Sequence, residues 1–321
     1  MGQEGRPPFR FETWWLQVEG FREVVTNSWR VPTPYVSGAK RIACKLRRLK
    51  VALKIWSRMA KSQRSKDKNA ISSEIAALDA LDECGLLEEE DRVKRTGLKL
   101  SMLKILSMEE EEWRIRSRAL WLKEGDNNTR FFHKLANQRR RTNRIVAIKS
   151  RGVQLVEQQD IQQCFVTHFS SAYKARRGRR PPWEDEGLRR VPIGDAAILE
   201  SPFTEAEIRR AVFSTEGDKA PGPDGFSSRF FQEFWDIVKD DIVSMFSEFY
   251  EGSQGVGCLN ATFLALIPKK VGAEEISDFR PISLINACFK FLSKALGGRC
   301  KMASLQSRNV FRGSIILERR V

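Results

Sequence analysis

From Ser37 to Arg118 the chain contains no proline and is dominated by Lys, Arg, Glu, Leu and Ala. Proline interrupts a helix more firmly than any other residue, and the residues present are strong helix formers. This part of the chain is therefore committed to helices. Leu46, Leu49, Leu53 and Trp56 recur at the three- and four-residue steps of one helical face. Ile71, Ile75, Leu78, Leu81 and Cys84 continue the pattern in a second helix, with Gly85 and Gly97 as the expected breaks. Helices this long and charged coil against one another or lie along a partner.

Charge is distributed in blocks. The chain of 321 residues carries 56 Lys+Arg against 41 Asp+Glu, a formal charge of +15. Residues 201–321 hold 16 basic and 15 acidic residues, so all but one unit of the excess lies in residues 1–200. Lys40 to Lys68 holds 12 bases and one acid, Ile71 to Asp91 holds 8 acids and no base, and Trp113 to Arg151 holds 12 bases and 2 acids. A positive field that survives interleaved acidic blocks marks a binder of polyanions; the alternative is a solvated helical surface. No run of about 18 apolar residues occurs, which excludes a membrane-spanning helix, and residues 1–10 lack the apolar core of a secretory signal. The six cysteines form no C-x-x-C pair, and Cys164 with His168 lacks further ligands at suitable spacing. The cysteines read as reduced intracellular thiols, and no metal site is expected.

The first 35 residues are rich in large apolar groups, among them Trp14, Trp15, Phe21 and Trp29. They are too many for a tail and too few to close a core alone. Further on, Gly125 to Asn128 reads as a turn, followed by a helix with Phe131, Phe132 and Leu135. Phe131, Phe132 and the preceding Trp121 read as core. Arg139, Arg140, Arg141 and Arg144 follow at once, and arginines clustered beside aromatics suit single-stranded nucleic acid.

The second half begins with IVAIKSRGVQLV, a hairpin turning at Arg151-Gly152, then the basic loop KARRGRRPP at 174–182, read as disordered. Thr204 and Glu207 form a capping box for a helix ending near Ser214. The loop KAPGPDGF follows, then one amphipathic helix carrying Phe230, Phe234, Val238, Ile242, Met245 and Phe249. Two apolar strands in ATFLALIPKKVGAEEISDFRPISLI flank a turn at Gly272, so that bases at facing positions grip a phosphate from two sides. A helix from Asn286 to Lys301 is expected to be interrupted by Gly297-Gly298.

WLKEGDNNTRFFH, KAPGPDGF, LALIPKK and DFRPISLINACFKFLSKAL, in this order, resemble the reverse transcriptase (RNA-directed DNA polymerase) of plant LINE-type, non-LTR retrotransposons. PFRFETWWLQVEGFREVV is similar to the close of that polyprotein's endonuclease domain. The resemblance implies an α+β fold, mostly helical: a long helical linker followed by a partial right-hand polymerase, palm and thumb absent. Residues 1–35 would be the remnant of an endonuclease/exonuclease/phosphatase-type domain and 36–150 a basic helical linker. Residues 151–200 would be a small hairpin with a disordered basic loop, and 201–321 the fingers part of the reverse transcriptase domain.

It also implies roles. Lys269, Lys270 and Arg280 would contact nucleotide or template phosphates; Pro221, Gly222, Asp224 and Gly225 would shape the loop near the template. The family's chemistry is nucleotidyl transfer with two Mg²⁺ ions held by palm carboxylates. This chain supplies no such set, so it is expected to hold no cofactor, to have no catalytic residues and to be inactive as a polymerase. Its Asp240-Asp241 pair reads as a solvated helix face. Gly313-Ser314 and Glu318 depart from the family's next motif, as a truncated or degenerate copy would. The implied partners are element RNA and target DNA, with no membrane and no small-molecule substrate beyond nucleotide phosphate contact. The implied location is intracellular and nuclear. The alternatives are a non-enzymatic nucleic-acid-binding protein and an unproductive pseudogene product.

Overall fold

A computed structural model describes residues 8–117, 129–150, 152–174 and 193–307. The described residues are mostly helical, with two small two-stranded sheets, and divide into two compact units. No helix among them is long and apolar enough to cross a membrane. Trp121, the Gly125–Asn128 turn, the 175–182 part of the basic loop and Gly313 to Glu318 lie outside the described residues.

The first unit contains residues 1–32, 45–158 and 267–280. A 3₁₀ turn, Thr13–Gln17, leads to α1, Phe21–Arg30. Then come α2, Gly38–Glu83, and α3, Glu89–Ser117. The aromatic N-terminal segment finds its core on α2. Phe11, Trp14, Trp15, Phe21 and Trp29 are buried together with Leu46, Leu49 and Leu53, and the Trp56 ring lies 4.8 Å from that of Phe21. The leucine stripe read from the sequence is thus the face that covers this cluster.

α2 is one helix where two were expected. Nothing between Trp56 and Ile71 offers a breaker, and the helix ends only ahead of Gly85. α3 likewise runs through Gly97. An isolated glycine costs about 1 kcal/mol in a helix, less than the remaining turns contribute.

The two helices lie antiparallel, and their charges match block against block. Lys61 and Arg64 both reach Glu112, at 2.8 and 2.7 Å, and Lys68 reaches Glu109 at 2.7 Å. Further along α2 the signs reverse: Glu74 meets Lys94, and Asp79 and Asp82 both meet Arg95. A shift large enough to bring block against like block would oppose like charges, so the alternating blocks favour this alignment as well as stabilising it. Glu112 is buried, and Arg64 also lies over the Trp14 ring at 4.4 Å.

α4, Thr129–Thr142, packs on α3. Phe132 is buried, as expected, but Phe131 is 43% exposed, its ring meeting that of Phe132 edge to face. β1, Ile148–Ser150, and β2, Val153–Leu155, form the expected hairpin, with Gly152 in the left-handed region at φ 80°.

The second unit contains residues 33–44, 159–266 and 281–321. Its helices are the first turns of α2, α5 (Gln158–Tyr173), α6 (Ile193–Glu200), α7 (Glu205–Phe213), α8 (Ser228–Glu233), α9 (Trp235–Tyr250) and α10 (Ala287–Ser307). The expected single amphipathic helix is two, because Phe234 leaves helical geometry at φ −109° and ψ 26°. Phe226, Phe230, Phe231, Phe234, Phe246 and Phe291 form the core with Ile208, Val238, Ile242 and Met245.

Asp241 is a further correction. Asp240 is exposed, but Asp241 is buried and accepts from Arg41 Nε at 2.9 Å. A helix-period pattern places two adjacent residues 100° apart, so one carboxylate of the pair faces inward and is matched by a base. Glu248, also on α9, accepts from Ser37 Oγ at 3.0 Å and from the backbone N–H groups of Gly38 and Ala39, capping α2 from outside.

Candidate nucleic-acid interface

The second sheet pairs β3, Thr262–Pro268, with β4, Phe279–Ile285. At its turn the backbone N–H of Lys269 donates to the Asp278 carbonyl at 2.7 Å. Lys269 Nζ donates to the Ser277 carbonyl at 2.6 Å, and Lys270 Nζ pairs with the Asp278 carboxylate at 2.9 Å. That contact raises the Lys270 pKa and, with the backbone N–H groups of Glu275 and Glu274, lowers that of Asp278. The two lysines therefore brace the turn rather than stand free. Arg280 is exposed and has no ion-pair partner among the described residues, so its guanidinium is the group here most available to an anion.

The turn is also held from outside. Lys149 of β1 donates its backbone N–H to the Glu274 carbonyl at 2.6 Å, and its ammonium pairs with the Glu274 carboxylate. An isolated parallel bridge joins Lys149 to Glu275. The hydrogen bond to Lys149 is the main cause lowering the Glu274 pKa, and its counterpart raises that of Lys149.

The KAPGPDGF loop is shaped by the start of α10. Asn286 is buried: its Oδ1 accepts from the Asp224 N–H at 3.2 Å, and its Nδ2 donates to the Leu259 carbonyl at 3.0 Å. Gly222 passes so near that a Cβ there would lie 2.7 Å from the Ile285 carbonyl carbon and closer still to Asn286. Gly225 takes φ 86°, and the Asp224 carboxylate accepts from the Phe226 N–H at 3.0 Å, closing an Asx turn that sends Phe226 into the core. Lys290 Nζ donates to the Ala220 carbonyl at 3.1 Å. Burial lowers its pKa, and the charge of Asp224 opposes that shift. Cys288 lies fully buried beside them, its thiol pushed well up by burial and by Asp224.

Asn286 and Lys290 were missed by sequence reading. The only signal was a polar residue one helical turn before a base at the start of an apolar helix, a pattern shared by many helix starts.

Of the arginine run, Arg139, Arg140 and Arg141 lie in α4 and Arg144 just after it. Arg141 and Arg144 are exposed. The structure thus yields three basic or turn-forming groups of residues: α4 with its exit, the β3–β4 turn with Arg280, and the glycine-rich loop braced by Asn286.

Palm-type chemistry requires converging carboxylates for two divalent cations. Among the described residues no group of three or more His, Cys, Asp or Glu is placed to hold a metal ion. Asp241 is committed to Arg41. The described residues supply no such set of carboxylates.

Set against known proteins, the chain is transposon-related. The similarity is to the Transposon TX1 uncharacterized 149 kDa protein of Xenopus laevis, 26% identical over 297 residues, 89% of this chain. The chain spans 22% of that protein's length. No family model matches.

Proposed function

We propose that the chain is the helical linker and fingers portion of a retrotransposon reverse transcriptase, of the non-LTR, LINE type found in plants, and that it binds RNA and DNA without polymerising. The observation carrying this reading is that similarity to a transposon protein covers 89% of the chain. The motif residues also give the loop and the turn defined shapes, through Gly222 against Asn286 and Lys270 against Asp278, which is compatible with a template-side loop and a fingertip hairpin. Mg²⁺ in a complete enzyme would activate a primer hydroxyl and stabilise the leaving pyrophosphate.

Arg139, Arg140, Arg141 and Arg144 supply phosphate contacts in this reading, and Arg280, with Lys269 and Lys270 ordering the turn beneath it, supplies one more. Primer extension on an RNA template with Mg²⁺ and binding of single-stranded RNA across a salt series test it together. The expected outcome is no incorporation and a log–log salt dependence of several units. Template-dependent incorporation, or a salt slope near zero, overturns the proposal.

A further inference from the structure

α2 carries an exposed face that the ion pairs with α3 leave untouched. Within the basic run, Lys61, Arg64 and Lys68 are committed to glutamates of α3. Arg48 donates to the carbonyls of Ser28, Val31 and Pro32. Lys45 lies over the Trp29 ring and Lys50 over that of Phe9. Arg47, Lys54, Arg58 and Lys66 are different: all four are exposed, and none has an ion pair or side-chain hydrogen bond among the described residues.

Their spacing is ordered. At about 100° per residue, Arg47, Lys54 and Arg58 fall within a sector of roughly 40° on the side of α2 away from Leu46, Leu49 and Leu53. The three extend over about 16 Å at 1.5 Å per residue, and Lys66, about 12 Å further on, is turned about 80° from Arg58. Val51, Ile55 and Met59 fill the adjoining sector, on the Lys66 side and still away from the leucines, and are 58%, 57% and 67% exposed.

We propose that this side of α2 is a binding site for single-stranded nucleic acid, with Arg47, Lys54, Arg58 and Lys66 on phosphates of one strand and Val51, Ile55 and Met59 against base faces. The inference rests on the nucleic-acid reading above and locates a contact surface separate from the arginines of α4. Charge complementarity selects a polyanion, since these four bases share one exposed side of the helix and have no ion pair among the described residues. The aliphatic groups favour a single strand over a duplex, whose bases are stacked out of reach. A membrane surface fits less well. Helices that lie in a bilayer interface present their large apolar face to it, and the large apolar face of α2 is buried within the protein.

The test is fluorescence anisotropy with a labelled single-stranded RNA of about 20 nucleotides, a span of one to a few site sizes. The full chain is compared with the variant Arg47→Gln/Lys54→Gln/Arg58→Gln/Lys66→Gln across a salt series. Four lost phosphate contacts should flatten the log–log slope by about 3, from roughly 0.7 per phosphate on a single strand, and weaken binding at low salt by at least about tenfold. Ile55→Ser/Met59→Ser should weaken binding without changing the slope. All six positions are exposed, and an unchanged circular dichroism melt confirms the fold. If the wild-type chain binds but the quadruple variant keeps its slope, this site is wrong while the nucleic-acid reading stands. If the wild-type chain does not bind, both fall. Displacement of the RNA by phosphatidylserine vesicles or duplex DNA more readily than by unlabelled RNA also overturns the site.

Discussion

Arg299 of α10 holds Glu207 of α7 through two parallel bonds, Nε to Oε1 at 2.7 Å and Nη2 to Oε2 at 2.8 Å. The same guanidinium donates to the carbonyls of Leu199, Ser201 and Pro202 and stacks over Phe203 at 3.9 Å. Thr204 caps α7 by accepting from the Glu207 N–H, as the capping-box pattern required, but the Glu207 carboxylate goes to Arg299. One buried side chain thus ties α10 to the end of α6 and the start of α7.

Arg299→Ala should therefore destabilise the second unit by about 3 to 5 kcal/mol, the cost of stranding a buried charge. Arg299→Lys should recover little, because an ammonium cannot reproduce the planar fork. Urea denaturation followed by circular dichroism checks both; a loss under about 1 kcal/mol for the alanine variant contradicts the assignment.

Gly297 and Gly298, expected to interrupt α10, lie within it without a break. The anchoring of Arg299 one residue on explains why the helix tolerates them. A Cβ added at either position meets nothing within 4 Å. Gly297→Ala and Gly298→Ala should each stabilise the protein by about 0.5 to 1 kcal/mol. Gly222→Ala should do the opposite, since its Cβ would collide with backbone. Thermal melts of the three variants give the signs directly.

The thiols should separate by burial. Cys288 is buried with its pKa pushed up, whereas Cys84 and Cys300 are exposed. At neutral pH a disulfide reagent should label Cys84 and Cys300 first and Cys258 more slowly, because partial burial raises the pKa of that thiol too. Cys288 should react only in denaturant. Mass spectrometry of tryptic peptides over time reads the order.

Asp278 and Glu274 both have folded pKa values below their ordinary ones, through Lys270 and Lys149 respectively. Such carboxylates stabilise the turn above their unfolded pKa values, and the contribution is lost as pH falls through the folded ones. Lys149 and Lys270 are shifted upward, so their share persists through neutral pH and is lost only as pH rises through their raised values. Hydrogen-exchange protection of the Lys149 amide should therefore fall on acidification below the ordinary carboxylate range. The loss should be smaller at high salt, because both pairs are exposed.

The helicity of residues 38–117, the first hairpin, the Thr204 cap and the strands about Gly272 were legible because their signals are local: periodicity, turn glycines, a capping residue. The missed features depend on distant partners. Nothing near Asp241 announces Arg41, and nothing near Lys149 announces Glu274, 125 residues away. The charge blocks of α2 and α3 were visible as blocks, but their mutual neutralisation appears only once the helices are side by side. Of the site residues, the glycine-rich loop was legible by composition, whereas its buried brace, Asn286, was not.

Pairing of α2 with α3 also sets an order of assembly. Lys68 meets Glu109 across 41 residues and Lys61 meets Glu112 across 51, whereas Lys149 waits for Glu274 across 125. Contacts close in sequence form sooner, since less loop entropy is lost in making them. During synthesis the α2–α3 hairpin has all its charged partners once α3 has left the ribosome, and domains generally fold as they emerge. The β1 edge must stay open until the turn at Glu274 arrives. A chain stopped between the two would carry a finished helical hairpin beside an unpaired strand, the kind of edge that invites association with other chains.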